Sequence, residues 1–189
     1  MKQTICKSMS LFAVLLGCSV TTVLTSCIST EDNQATATQT VEEEMKSQYG
    51  ENLKITDGNY DKSLAVKCIN GIFVGKKTEG VIAFKGIPFV GQQPVGDLRW
   101  KAPVDVVPDD GVYQAYYNAK SACQREMSSE KASYYVQGED CLYLNVWQAD
   151  ETTDAKKPVM VWIHGGAFEY GGTVDPLYDC HILTKYYCI

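Results

Sequence analysis

The residues best suited to chemistry in this chain are His164-Gly165-Gly166-Ala167, at the end of the apolar run Pro158-Val159-Met160-Val161-Trp162-Ile163 and followed by Phe168. Glycine lacks a Cβ, so backbone at Gly165 and Gly166 can enter conformations closed to other residues and lie close against a bound molecule. Two successive amide N–H groups held that way can aim at one point. That geometry stabilises the oxyanion formed during acyl transfer. A strand must deliver such a loop. The apolar run, rich in β-branched and aromatic residues and bounded by Pro158 and Gly165, predicts a strand buried on both faces.

Several function classes receive no support. The formal net charge of −6 argues against nucleic acid or a simple electrostatic membrane partner. No Cys-x-x-Cys pair occurs, so nothing points to a zinc or redox centre. A length of 189 residues suits one domain.

The elements leading to the motif read as follows. Lys2 and Lys7 precede the apolar Leu11–Leu16, and Leu24-Thr25-Ser26-Cys27 places small residues before a cysteine. This predicts an export signal over 1–27 rather than a spanning helix, because the apolar run is short and diluted. The Leu-Thr-Ser-Cys ending resembles the lipobox of bacterial lipoproteins, which implies lipidation of Cys27 and a periplasmic or surface-side membrane anchor. Leu15-Leu16-Gly17-Cys18 is a competing match, and an ordinary cleaved signal with secretion, or a hydrophobic anchor, is the alternative. Residues 28–61 are rich in Ser, Thr, Glu, Gln and Asn and predict a flexible polar tether.

Structure is expected from about residue 62. Leu64–Ile69 and Ile72–Val74 flank Asn70-Gly71, a hairpin dipeptide, and Val81–Phe84 reads as a third strand. The Pro- and Gly-rich stretch 86–104 reads as ordered irregular chain, and 113–137 as a surface loop or short helix. Leu142–Trp147 alternates as a strand does. Antiparallel hairpins ahead of the motif strand suggest an α/β sheet with an antiparallel edge.

Three blocks in order carry a resemblance: Phe84-Lys85-Gly86-Ile87-Pro88-Phe89 through Pro94-Val95-Gly96-Asp97-Leu98-Arg99-Trp100, then Glu139-Asp140-Cys141-Leu142-Tyr143-Leu144-Asn145-Val146-Trp147, then Pro158 to Phe168. Together they resemble the type-B carboxylesterases, the group containing cholinesterases and bacterial p-nitrobenzyl esterases. The resemblance implies the N-terminal portion of an α/β-hydrolase fold over 62–189, with antiparallel edge hairpins leading into a mostly parallel sheet. It implies hydrolysis of small carboxylic esters by a serine triad, without metal or organic cofactor. It places the oxyanion donors on the amides of Gly166 and Ala167, with Gly165 shaping the turn and His164 structural. Cys123 and Cys141 match the family's early disulfide, worth about 3 kcal/mol in the chain-entropy model. Arg99 and Glu139 match an ion pair joining the first two blocks.

The chain departs from the pattern in its catalytic set and in its last residues, where Cys180 stands in place of the glycine common in the family. It contains no Gly-x-Ser-x-Gly nucleophile elbow, and its histidines are His164 and His181. The reading is therefore an esterase portion truncated before the elbow, itself without turnover; a non-catalytic cholinesterase-like binding protein and an inactive gene remnant are the alternatives. Oligomeric state is not legible.

Overall fold

The computed structural model describes residues 43–124, 135–151 and 155–187. Cys27 lies outside them, as do the signal and the first part of the expected tether.

Two three-stranded sheets form the body. One has the order β1 (Ala65–Cys68), β2 (Asn70–Val74), β5 (Asp109–Gln114); the other β3 (Lys76–Thr78), β4 (Val81–Pro88), β6 (Tyr143–Ala149). β1 and β2 make an antiparallel hairpin, but its turn falls one residue before the expected Asn70-Gly71: Cys68 pairs with Gly71, which leaves Ile69 and Asn70 at the tip, and of the dipeptide only Gly71 has positive φ. β2 pairs with β5 in parallel. β3 and β6 flank β4, both antiparallel to it.

The two sheets share one apolar core. Phe73 from β2, Ile82 and Phe84 from β4, and Ala115 just after β5 are all buried, with Leu64, Cys68, Ile87 and Tyr113 packed around them. Gly75 lets β2 turn into β3 here: a Cβ on it would come within 2.8 Å of the Ile82 and Phe84 side chains.

Between Phe84 and Ile87 the β4–β6 register shifts. Gly86 sits in this bulge at φ +71°. Its N–H donates to the Asn145 side chain at 2.9 Å, and a Cβ would meet Asn52 Nδ2 and the Tyr117 carbonyl at 2.6 Å. Only glycine fits without movement of the backbone around it.

Two further expectations are corrected. Residues 43–55 are packed onto the fold, not a tether. A helical turn at 43–47 buries Met45, and the Ile55 N–H donates to the Val112 carbonyl at 2.8 Å while Gln114 N–H donates to the Leu53 carbonyl at 2.9 Å. Asn52 replaces apolar burial with hydrogen bonds: its Nδ2 donates to the Lys85 and Tyr117 carbonyls, and its Oδ1 accepts from the Tyr116 and Tyr117 amides. Polar composition alone conceals an anchor of this kind.

The run Pro158–Ile163 is not a buried strand. It pairs with no strand among the described residues, and Val159, Val161 and Ile163 are 87%, 79% and 85% exposed. An apolar run becomes a strand only when neighbours complete its hydrogen bonds and cover its faces. Beyond it, Pro176–Tyr178 makes one 3-10 turn with Asp175 Oδ1 accepting from the Leu177 N–H. Helix α1 (His181–Tyr187) follows and lies against β6 and β4, burying Thr184.

Candidate active site

After Ile163 the chain folds into a tight turn. The Gly166 carbonyl accepts from the Glu169 N–H at 2.9 Å and the Tyr170 N–H at 3.2 Å. Between them, Ala167 and Phe168 stand at φ +54° and +64°. Positive φ at both central residues is the sign pattern of a type I′ turn, which ordinarily selects Gly, Asn or Asp. An Ala-Phe pair there is strained, by roughly 1–2 kcal/mol per residue. Strain of this sort persists where surrounding structure over-determines it, and it gathers at functional sites.

Gly166 itself, at φ +128°, has no room for a side chain: a Cβ would lie 1.7 Å from the Tyr170 carbonyl oxygen. Gly165 is unlike it. The nearest atom to a Cβ there is the Tyr178 hydroxyl at 3.9 Å, and its φ lies outside the left-handed region. Among the described residues neither the Gly166 nor the Ala167 amide donates to a protein acceptor. Two consecutive unused donors at a strained turn can receive an external anion or a developing oxyanion.

His164 is exposed and structural in its contacts. Its Nδ1 lies 2.8 Å from the Gly165 carbonyl oxygen and its ring stacks on Tyr178, 6.2 Å between centroids. A carbonyl only accepts, so a hydrogen bond here requires the tautomer with its proton on Nδ1. Tyr178 thereby supports both the histidine and, at 5.9 Å, the Trp162 ring. The loop and the exposed run before it line one side of an open groove of about 1370 Å³, with Cys123, Cys141, Leu144 and Val146 among the residues on its other walls.

The disulfide expectation is corrected here: Cys123 and Cys141 are both free thiols. Proximity alone does not join two thiols, since a bridge also needs an oxidant. The pair does interact. Burial raises the Cys141 thiol pKa, and Cys123, Glu139 and Asp140 raise it further. Arg99 Nη1 meets Glu139 Oε1 at 2.7 Å, with both side chains about half exposed. An ion pair that open to water contributes about 0–1 kcal/mol. The Arg99 guanidinium also lies over the Trp100 ring, 5.4 Å from its centroid. Behind the loop, Tyr135 donates to Asp175 Oδ2 at 3.1 Å, and burial together with that carboxylate pushes its hydroxyl pKa well above the usual tyrosine range.

The description of the carboxylesterase family matches residues 62–189. The chain belongs to the carboxylesterase family. Among curated carboxylesterase relatives, the para-nitrobenzyl esterase of Bacillus subtilis is 43% identical over 108 residues, 56% of this chain and 22% of that protein. Carboxylesterase 3B of Mus musculus is 40% identical over 118 residues, 57% of this chain and 20% of that protein. A solved thermophilic PNB esterase superposes with a TM-score of 0.59 at 36% identity, covering 66% of this chain and 26% of that one. The fold is thus a part of the α/β-hydrolase esterase fold, and the chain spans about a fifth to a quarter of the length of these relatives.

Proposed function

We propose that this chain is the oxyanion-loop portion of a serine carboxylesterase acting on small carboxylic esters. The observation that carries the reading is the turn at Gly166, where two consecutive amides have no protein acceptor within a family-matched segment. In acyl transfer, attack on the ester carbonyl carbon moves an electron pair onto its oxygen. The Gly166 and Ala167 N–H groups donate to that oxygen as its charge develops, each such donor being worth about 3 kcal/mol in the transition state. The nucleophile and its base come from outside these 189 residues, so this chain alone has no turnover above background. No cofactor enters, since serine acyl transfer needs none. His164 orients the loop and transfers no proton.

Export with a lipid anchor on Cys27 belongs to the same reading, supported by the Leu24–Cys27 pattern. Each buried CH₂ of an acyl chain adds about 0.8 kcal/mol, so several chains hold the protein stably at a membrane.

The test is hydrolysis of a short p-nitrophenyl ester panel by the intact protein read from the whole gene. Turnover abolished by a serine-directed phosphonate is expected. No hydrolysis, with a reading frame that continues but lacks Gly-x-Ser-x-Gly, overturns the reading in favour of a non-catalytic binding protein.

A further inference from the structure

The turn bearing Gly166 and Ala167 is held at its far end by a side chain from elsewhere in the sequence. Gln124 Oε1 accepts from the Gly171 N–H at 2.6 Å, and Gln124 Nε2 donates to the Gly171 carbonyl at 2.9 Å. One carboxamide therefore takes both polar groups of one residue. Its orientation is unambiguous, because the backbone N–H can only donate and the carbonyl can only accept. Gln124 is fixed in turn: its Nε2 also donates to the Ala122 carbonyl at 3.1 Å, and its own N–H donates to Gln137 Oε1 at 2.9 Å.

Gly171 lies directly against the start of the donor loop. At φ +114°, a Cβ on it would come within 2.7 Å of both the Gly165 carbonyl oxygen and His164 Nδ1. A short physical chain thus runs from Gln124 through the Gly171 backbone to His164 and Gly165. The turn it bounds contains two non-glycine residues in the left-handed region, Ala167 and Phe168, which relax to ordinary φ unless both ends are held. The Gly166 carbonyl holds one end and Gln124 the other.

We propose that Gln124 is a positioning residue: its carboxamide clamps Gly171 and so keeps the Gly166 and Ala167 amides aimed for catalysis. The inference rests on the catalytic reading of that turn given above. Gln124 touches no reacting atom; it acts through the backbone it grips.

The test uses the intact protein with Gln124→Ala and Gln124→Glu, and reads amide hydrogen exchange beside steady-state kinetics. In Gln124→Ala, exchange at Glu169, Tyr170 and Gly171 is expected to accelerate while β4 keeps its protection. A misplacement of about 1 Å costs up to about 100-fold in rate, so kcat should fall about 10- to 100-fold with KM little changed. Gln124→Glu keeps an acceptor for the Gly171 N–H and loses the donor to its carbonyl. Lowering the pH through the ordinary glutamic range, ~4.3, restores an O–H donor there. Exchange at Gly171 should then slow relative to Gln124→Ala at the same pH. Unchanged Gly171 exchange in Gln124→Ala overturns the clamp, and so does an equal loss of protection through β4, which makes Gln124 a general stability residue. Faster exchange with an unaltered kcat overturns its link to catalysis. If the parent protein hydrolyses no ester yet Gly171 exchange still responds, the clamp stands and the catalytic reading falls.

Discussion

Gly165 and Gly166 are adjacent, yet the structure asks different things of them. At Gly166 a methyl group would overlap the Tyr170 carbonyl, 1.7 Å from the ideal Cβ, at a φ that L-residues rarely adopt. At Gly165 the nearest neighbour is 3.9 Å away. Gly166→Ala should therefore displace the donor turn and lower kcat of the intact protein about 100- to 1,000-fold, the loss typical of one oxyanion donor. Gly165→Ala should stay within a few-fold of the parent. Comparing kcat/KM of the two variants on one p-nitrophenyl ester decides it; equal losses would show that the turn does not discriminate as its geometry demands. A second residue-scale prediction concerns Cys141. Burial, then Cys123, Glu139 and Asp140, raise its thiol pKa. The thiolate is the reactive species, so alkylation of Cys141 by iodoacetamide should inflect at higher pH than a free cysteine peptide. The stability linked to this proton is full below the unfolded thiol's pKa and is lost as pH rises through the folded one. Because burial is the largest cause, Asp140→Asn should lower the inflection only partly; a profile matching the free peptide would sink the assignment.

At the scale of elements, hydrogen-bonding side chains join what the sheets leave apart. Asn145 on β6 accepts from the Gly86 N–H and donates to Asn118 Oδ1 at 2.7 Å, and the buried Asn118 reaches Gln48 in the N-terminal segment. Replacing Asn145 by Ala leaves the Gly86 N–H and Asn118 Oδ1, both on buried residues, without that partner, costing about 1–3 kcal/mol for each group left unsatisfied. Urea unfolding should show that loss as a lower midpoint at unchanged slope. An unaltered midpoint would mean water replaces Asn145 freely. These links also explain what could be read from the residues. Asn70-Gly71 announces the β1–β2 hairpin to within one residue, and the alternation in Leu142–Trp147 announces β6, because turn chemistry and period are local signals. β5 was missed. It opens on Asp109-Asp110-Gly111, which reads as a turn, and it is made a strand by its parallel neighbour β2. The segment around Asn52 was missed for the same reason, since its partners are about 30 to 65 positions away in sequence. Within the site, the glycines were legible from type and spacing. Gln124 and Tyr178 were not, because a lone polar or aromatic side chain carries no sign of the backbone it will grip.

For the molecule as a whole, the feature that organises expectation is its uncovered apolar face. Val159, Val161, Trp162 and Ile163 are 61–87% exposed, and Leu144 and Val146 on β6 face the same groove. Monomeric proteins seldom leave contiguous apolar surface of this kind in water. The chain covers about a quarter of the solved PNB esterase it resembles. Two measurable consequences follow for the 189-residue chain studied alone. It should bind the dye ANS strongly at neutral pH, and its apparent mass by light scattering should rise with concentration, because association is the remaining way to remove that surface from water. Val161→Glu together with Ile163→Lys places charges on the face without touching the Phe73–Ile82–Phe84 core. ANS fluorescence and self-association should then fall together while far-UV circular dichroism from the two sheets is kept. Strong dye binding that survives both substitutions would locate the exposed apolar surface elsewhere, and would mean that the run before His164 is covered in solution by its own chain.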